Sequence, residues 1–182
     1  MTANELFEIL ISDNPRALLN EKEAELFLLI PELKACKGFD QHNEWHPYDV
    51  YEHIMRVVEG VDKNIILRLA ALFHDIGKPI VYTEDEKGIG HFKEHWTESE
   101  KIFLKFAKEQ NIPDYITSVV AKLIKQHDHA IKYFSEEELN EFSKEELIML
   151  IQIKKADLLA QNPKYHYLLA DYDEQLKRLL TR

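Results

Sequence analysis

Four side chains of the types that bind divalent metals occupy positions that the sequence predicts to be buried. His53 lies on the apolar face of one predicted helix, and Asp157 lies in another that is apolar nearly all round. His74 and Asp75 close a third, strongly apolar helix. A buried ionised carboxylate is costly unless it is paired or bound to a metal, and a neutral imidazole offers a nitrogen ligand. We therefore predict that these residues form a divalent metal site with mixed nitrogen and oxygen ligands.

Each of these side chains also has an ordinary structural explanation when it is taken alone. His53 can be a core residue whose hydrogen bonds are satisfied. Asp75 can pair with Lys78 at the end of a helix. Asp157 can pair with a buried cation, either Lys154 or Arg68. The metal site is favoured by the combination of a histidine, an adjacent His-Asp followed by Ile-Gly-Lys-Pro, and a distant buried aspartate.

Composition and charge limit the classes of function. The chain has 182 residues, 45% of them apolar, which fits one folded domain with a sizeable core. Its 33 acidic and 23 basic residues give a net charge of −10. Binding nucleic acid through a broad surface requires clustered lysine and arginine, so we expect no such surface here. A small phosphorylated substrate held at a metal ion is compatible with this charge.

The sequence also predicts a compartment. No apolar run approaches the ~20 residues that a membrane helix needs, so no membrane association is expected. The acidic N-terminal segment lacks the basic start of a signal peptide. The single cysteine, Cys36, cannot form an internal disulfide, which favours a reducing compartment. We therefore expect a cytoplasmic protein.

The spacing of apolar residues predicts an all-α fold, with Asp49 and Asn64 as N-caps of two helices. A stop at Gly77 and Pro79 ends the helix that carries His74. Residues 80–92 lack the helical period and predict a short β-hairpin or loop. The predicted helices cover residues 6–10, 17–19, 23–33 with an interruption at the proline, 50–58, 65–75, 97–110, 113–126, 144–160 and 163–180.

Several motifs occur in a fixed order along the chain. ALFHDIGKP, the upstream HPYDVYEHI and the downstream KKADLLAQNP resemble the motifs of HD-domain metal-dependent phosphohydrolases. Residues 29–54, GIGHFKEHWTESEKI, LIKQHDHAI and IQIKKADLLAQNP are similar to the HD domain of bacterial CCA-adding tRNA nucleotidyltransferases. The likeness runs from about residue 5 to about residue 165.

The resemblance implies a domain organisation. It implies an HD-domain helical bundle over residues 1–182, with leading helices at 1–45, a metal-site core at 46–162 and a C-terminal helix at 163–182. CCA-adding enzymes carry a nucleotidyltransferase domain before this region, and this chain starts after that point. We therefore expect a free-standing HD domain without nucleotide-adding activity.

The family pattern also implies roles for individual residues. It implies one metal ion with four ligands, namely His53, His74, Asp75 and Asp157. In two-metal members of the family, Asp75 would bridge the ions, and His95 and His127 would bind the second ion. In one-metal members the last two histidines line the pocket and contact phosphate. For this chain we favour the one-metal arrangement with both histidines in the pocket.

Other polar residues are candidates for the pocket. Lys78 is placed to neutralise phosphate charge, although it can also be an exposed lysine near a helix end, where the helix dipole favours a cation. Asp128 can orient an imidazole, accept a proton or lie exposed. His42 and His46 are expected at the pocket edge. Loop or surface positions are expected for the remaining histidines, His91, His129 and His166.

The expected function follows from these parts. We predict a metal-dependent phosphohydrolase that acts on a small phosphorylated substrate, in particular a nucleotide, as a phosphomonoesterase, nucleotidase or cyclic phosphodiesterase. Asp75, Lys78, His95 and His127 are the candidate catalytic residues, and the last three also contact substrate. The cofactor is one or two divalent ions of Mn, Mg, Fe, Co, Ni or Zn. The alternatives are a diiron HD-type oxygenase and a non-catalytic nucleotide- or RNA-associated binding module.

Overall fold

A computed structural model describes residues 1–131 and 134–181; Lys132, Tyr133 and Arg182, which belong to the predicted 1–182 domain, lie outside the described residues. The described chain is helical apart from one two-stranded sheet, which confirms the all-α class. The helices are α1 (Ala3–Leu10), α2 (Pro15–Glu21), α3 (Glu23–Leu29), α4 (Glu32–Cys36), α5 (Val50–Gly60), α6 (Ile65–Phe73), α7 (Lys78–Val81), α8 (His95–Glu109), α9 (Asp114–Gln126), α10 (Glu136–Asn140), α11 (Lys144–Leu159) and α12 (Leu169–Leu180), with a 3-10 helix at Pro163–Leu168. The division of the chain at residues 45 and 162 stays a prediction.

Side-chain caps fix where the helices of the site begin. The Asp49 carboxylate accepts a hydrogen bond from the Glu52 amide in the first turn of α5, and the Asn64 side chain accepts from two amides of α6, so both predicted caps are confirmed. Ser143 and Glu146 form a capping box at the start of α11. These caps set the register that turns the ligand-type side chains of α5 and α11 inward.

Helix α6 lies at the centre of the bundle, in contact with α5, α8, α9 and α11. Every residue from Ile66 to Phe73 is buried. Arg68 is among them, and its guanidinium donates to the carbonyls of Leu10, Val61 and Asp62. It therefore ties α1 to the turn between α5 and α6, and does not pair with Asp157 as one alternative held.

The middle of the chain differs partly from expectation. A short antiparallel sheet pairs β1 (Thr83–Glu84) with β2 (Gly90–His91), as the hairpin prediction required. Residues 80 and 81, however, belong to the helical turn α7 rather than to a strand. Proline at the first turn of a helix loses no hydrogen bond, so Pro79 permits a helix start here as well as ending the preceding one.

The structure differs from the predicted helices at three further places. Helix α8 begins at His95, two residues earlier than predicted, and the segment after Asn162 is a 3-10 helix before α12 rather than one helix. The five-residue α10 was not predicted, because so short a helix shows no apolar period; a capping box at Ser135 holds it. Among the described residues, no helix combines the length and apolar character needed to cross a bilayer.

A close backbone contact holds the His-Asp corner against the start of α8. The amide of Gly77 donates to the Ser99 hydroxyl at 2.9 Å. A Cβ atom at Gly77 would lie 2.6 Å from the His95 carbonyl oxygen and 2.7 Å from the Ser99 amide nitrogen. Both are backbone atoms, so a side chain here requires the two segments to separate.

We expect Gly77→Ala to lower the free energy of unfolding by about 1–3 kcal/mol, since overpacking forces the backbone to shift. Gly88→Ala is the control. Gly88 has a positive φ of 76°, and the nearest atom to its Cβ would be a Glu84 oxygen at 3.6 Å, so only the left-handed strain of about 1–2 kcal/mol applies. Urea denaturation measures the free energy of unfolding of both variants. Metal retention should fall only in Gly77→Ala, because Gly77 holds the His-Asp corner. A Gly77→Ala protein with wild-type stability and metal content would contradict this packing argument.

Candidate metal centre

Ligand-type side chains from separate parts of the fold converge on one buried carboxylate. The carboxylate belongs to Asp75, directly after the end of α6. Four histidines surround it, from α5, the end of α6, the first turn of α8 and the end of α9, and they are His53, His74, His95 and His127. Asp157, in the last turn of α11, joins the cluster through its contact with His53. All are buried except the Asp157 side chain, which is 15% exposed. The fold thus brings together all six residues that the sequence analysis selected as metal-ligand candidates.

One oxygen of the central carboxylate faces the first pair of histidines. The Nε2 atoms of His53 and His74 each lie 3.3 Å from Asp75 Oδ2 and 3.4 Å from one another. Asp157 Oδ1 lies 3.0 Å from His53 Nε2. Its carboxylate also accepts a hydrogen bond from Gln161 at 3.0 Å. This half of the cluster contains the four ligands of the predicted first metal.

The other oxygen faces the second pair of histidines. His95 Nε2 lies 3.0 Å from Asp75 Oδ1, and His127 Nε2 lies 3.5 Å from it. The two Nε2 atoms are 3.1 Å apart. The central carboxylate therefore has one oxygen for each half of the cluster, as a bridging ligand would.

The backbone fixes the tautomers of three of these rings. Each ring has its Nδ1 within hydrogen-bond distance of a carbonyl oxygen, so Nδ1 carries the proton; the pairs are His74 with Ala71 at 2.7 Å, His95 with Phe92 at 2.9 Å, and His127 with Ile124 at 2.7 Å. A neutral ring of that tautomer presents a lone pair at Nε2. Lone pairs from three histidines therefore point at one another and at an anionic carboxylate.

Such an arrangement requires cations. Asp75 Oδ1 is buried and has no hydrogen-bond donor within the described part of the chain. Two overlapping groups, His53–His74–Asp157 and His74–Asp75–His127, keep their ligand atoms within 4.8 Å of one another. Ligands that bind an ion at ~2.1 Å at right angles are ~3.0 Å apart, close to the spacing observed here. The donor set thus fits divalent metal ions.

Proton affinities in the cluster reflect its two carboxylates. Burial by itself would lower the pKa of His53, but hydrogen bonds to Asp157 and Asp75 outweigh it and raise this pKa to about 9. Burial opposes ionisation of Asp75, yet electrostatic attraction to the His74 imidazole and the Lys78 ammonium holds its pKa well below the usual range. The pKa of Asp157 is also lowered, chiefly by His53 and against burial. Without a metal, a protonated His53 and the Lys78 ammonium balance the two carboxylates.

Lys78 is buried rather than exposed at a helix end. Its ammonium donates to Asp75 Oδ2 at 2.6 Å and to Gln41 Oε1 at 2.9 Å, and lies 3.4 Å from His46 Nε2. Burial and the Lys78 charge lower the pKa of His46 to about 2. This imidazole is therefore neutral, and its Nε2 can accept a hydrogen bond from the Lys78 ammonium. The Asp75–Lys78 pair considered above is therefore present beside the metal-ligand cluster.

Two supporting residues escaped the sequence analysis. Gln41 is buried and holds Lys78, but it lies in an aperiodic loop that carries no burial signal. Lys154 was considered only as a partner of Asp157, whereas its ammonium donates to the carbonyls of His127 and His129. Burial lowers the Lys154 pKa to about 8. This lysine therefore fixes the end of α9, where a cation also suits the helix dipole.

A cavity of about 510 Å³ opens onto the cluster. Its walls include aromatic rings, among them Trp45, Phe92 and Trp96, and its rim includes Lys93 and Asp128. The cluster residues that reach it are Asp75, Lys78, His95, His127 and Asp157. The cavity therefore offers both an ion-binding floor and apolar walls.

The remaining histidines are distributed as follows. His46 lines the cavity, as expected for a pocket-edge residue, but His42 points to the Tyr82 hydroxyl at 2.7 Å and does not line it. His91 is exposed and lines the outer cavity, and His129 is exposed. His166, expected at the surface, is half-buried, because the 3-10 helix turns it toward the bundle.

Comparisons with known proteins agree with this geometry. The model of the HD domain family matches residues 45–162. The A-adding tRNA nucleotidyltransferase of Deinococcus radiodurans is 30% identical over 132 residues, which are 68% of this chain and 30% of that protein. The multifunctional CCA protein of Vibrio parahaemolyticus is 28% identical over 108 residues, which are 57% of this chain and 26% of that protein. The multifunctional CCA protein of Shewanella frigidimarina is 38% identical over 71 residues, which are 36% of this chain and 17% of that protein. The chain thus spans less than a third of the curated relatives it matches, and both resemblances drawn from the sequence are confirmed.

We expect metal binding to become tighter as pH rises, because a ligand imidazole must be neutral and His53 has a pKa near 9. Below pH 9 the ion competes with the His53 proton, so affinity for Mn²⁺ should increase about tenfold per pH unit and level off above that pKa. Calorimetric titrations between pH 7 and pH 8.5, in buffers of different ionisation enthalpy, measure the affinity and the ~1 proton released. A pH-independent affinity without proton release would contradict the assignment of His53.

Proposed function

The chain belongs to the HD domain family, and from this premise we propose that it is a metal-dependent phosphohydrolase acting on a nucleotide-sized phosphoester. The observation that carries the proposal is the set of histidine lone pairs directed at the buried Asp75 carboxylate, at the floor of an open cavity. Metal ions account for this arrangement, and phosphoester hydrolysis is the chemistry that such ions promote. Relatives are named for their action on tRNA, but the net charge of −10 favours a small substrate here.

We propose two ion positions that share Asp75. The first uses Asp75 with three further ligands, His53, His74 and Asp157. The second uses Asp75 with His95 and His127. The sequence favoured one ion, but the second half of the cluster also presents lone pairs 3.0–3.5 Å from Asp75 Oδ1. A proton on His127 is a poor replacement for a metal ion as the partner of Asp75, because burial lowers the pKa of this ring.

The chemistry divides between the ions and the chain. Bound divalent ions would lower the pKa of water and polarise a phosphoryl oxygen. Lys78 holds the Asp75 carboxylate in place and neutralises part of its charge, so the floor of the loaded cavity is positive and attracts an anion although the whole chain is acidic. Lys93 at the rim adds a second cation for the phosphate, and the aromatic walls accommodate the organic part of the ester.

We expect Asp75→Ala to lose metal retention and hydrolysis together. Removing the shared carboxylate takes a ligand from both positions and leaves Lys78 as an uncompensated buried cation. Elemental analysis of purified protein and hydrolysis of nucleoside monophosphates, cyclic nucleotides and an aryl phosphate over several metals measure the two effects. Asp171→Ala, at an exposed aspartate of α12, is the control and should change neither. Full metal content and normal turnover in Asp75→Ala would contradict the proposal.

The same measurements, together with a visible absorption spectrum and a nucleotide-binding titration, separate the alternatives. A diiron oxygenase would contain two irons, absorb in the visible range and leave every phosphoester intact. A binding module would hold nucleotide without turnover at any metal. A cytoplasmic location remains part of the proposal, with the buried, reduced Cys36 thiol in its support.

A further inference from the structure

A contact between distant parts of the chain holds one wall of the cavity. The loop before α5 and the segment after α11 meet at Glu44 and Trp45 on one side and at Asn162–Tyr165 on the other; we call this contact the clasp. The Asn162 amide donates to the Trp45 carbonyl at 2.8 Å, and the Asn162 side chain donates to the Glu44 carbonyl at 3.0 Å. The Glu44 carboxylate accepts from Lys164 at 2.7 Å and from the Tyr165 hydroxyl.

The clasp fixes the orientation of an indole ring. The Trp45 and Tyr165 rings stack with centroids 3.4 Å apart and planes 11° from parallel. One face of Trp45 is therefore covered by Tyr165. The residue nevertheless stays 38% exposed and lines the cavity above the metal cluster. Four hydrogen bonds hold the backbone and the carboxylate at Glu44 and Trp45, and the Tyr165 stack holds the indole itself. A large apolar ring held in this way in a cavity wall is a preformed surface for a planar ligand group.

The same wall leads directly to a candidate metal ligand. Gln161, next to Asn162 of the clasp, donates to Asp157 and also lines the cavity. Trp45 and Asp157 are thus held on one side of a cavity whose floor would take the phosphate. A phosphoester spanning floor and wall has its ester group at the ions and its organic group beside the indole.

We infer that Trp45 is the stacking platform for the nucleobase of the substrate, and that Tyr165 is the positioning residue that holds this platform. The inference rests on the proposed function and deepens it, because it selects nucleotides over phosphoesters that lack a planar group. Stacking of one base on an aromatic side chain is worth ~1–3 kcal/mol, or about 5- to 150-fold in affinity. The contact is the same before and during the reaction, so its loss should raise KM and leave kcat unchanged.

The test compares two substrates that differ only in the base. Adenosine 5′-monophosphate and ribose 5-phosphate are hydrolysed by the full chain with Mn²⁺. We expect the wild type to favour the nucleotide in kcat/KM by at least about fivefold. Trp45→Ala should raise KM for the nucleotide alone and remove the preference, and Trp45→Phe should restore most of it.

The clasp is tested with its own matched pair. Tyr165→Ala should raise KM for the nucleotide with kcat unchanged, because Trp45 loses its support. Tyr167→Ala removes an exposed tyrosine of the same 3-10 helix and should have no effect. Tyr165→Phe keeps the ring stack and should retain the substrate preference, which a role limited to the Glu44 hydrogen bond would not predict.

A binding measurement keeps the inference independent of turnover. When metal-loaded protein is mixed rapidly with ligand and observed before turnover, the nucleotide should quench the tryptophan fluorescence of the wild type, ribose 5-phosphate should not, and the conservative Trp45→Phe protein should lose this quenching. Equal kcat/KM for both substrates, or unchanged quenching in Trp45→Phe, would overturn the platform and leave the phosphohydrolase proposal standing. Failure to hydrolyse any phosphoester, with Trp45-dependent quenching intact, would instead overturn the hydrolase and leave the base platform standing.

Discussion

The structure depends on a carboxylate buried where it should not be stable. Asp75 lies in the centre of the bundle with a neutral imidazole lone pair directed at each of its oxygens. Lys78 supplies one compensating charge, and a proton on His53 supplies another when no metal is bound. Divalent ions in place of that proton would satisfy the remaining lone pairs, so the interactions that make the metal-free core costly are those that would bind the ions.

Much of the surrounding fold serves to hold this carboxylate and its neighbours. The backbone contact at Gly77 brings the end of α6 against the start of α8, and Gln41 holds the lysine that faces Asp75. Lys154 ties the end of α9 to α11. The clasp at Trp45 joins the loop before α5 to the segment after α11. Stability and site geometry are therefore set by the same contacts.

The sequence predicted the elements of the site better than their connections. Local signals located α5 and α6 and predicted that their ligand candidates face inward. These signals are helix caps such as Asp49 and Asn64 and the apolar period around His53. The partner of Lys154 is a carbonyl group, and any residue has one, so the sequence could not identify it. Trp45 and Tyr165 are 120 positions apart, and a stack over that separation leaves no local pattern. Short elements such as α10 have too few residues to show a period.

The most direct test of the account is anomalous diffraction from crystals of the full chain grown with Mn²⁺. The account predicts two peaks ~3.5–4 Å apart. One should lie among His53, His74 and Asp157 and the other between His95 and His127, with one Asp75 oxygen at each. A single peak would contradict the second ion position. A map with no peak in the cluster, with Lys78 still bound to Asp75, would contradict the central claim that metal ions satisfy the buried carboxylate.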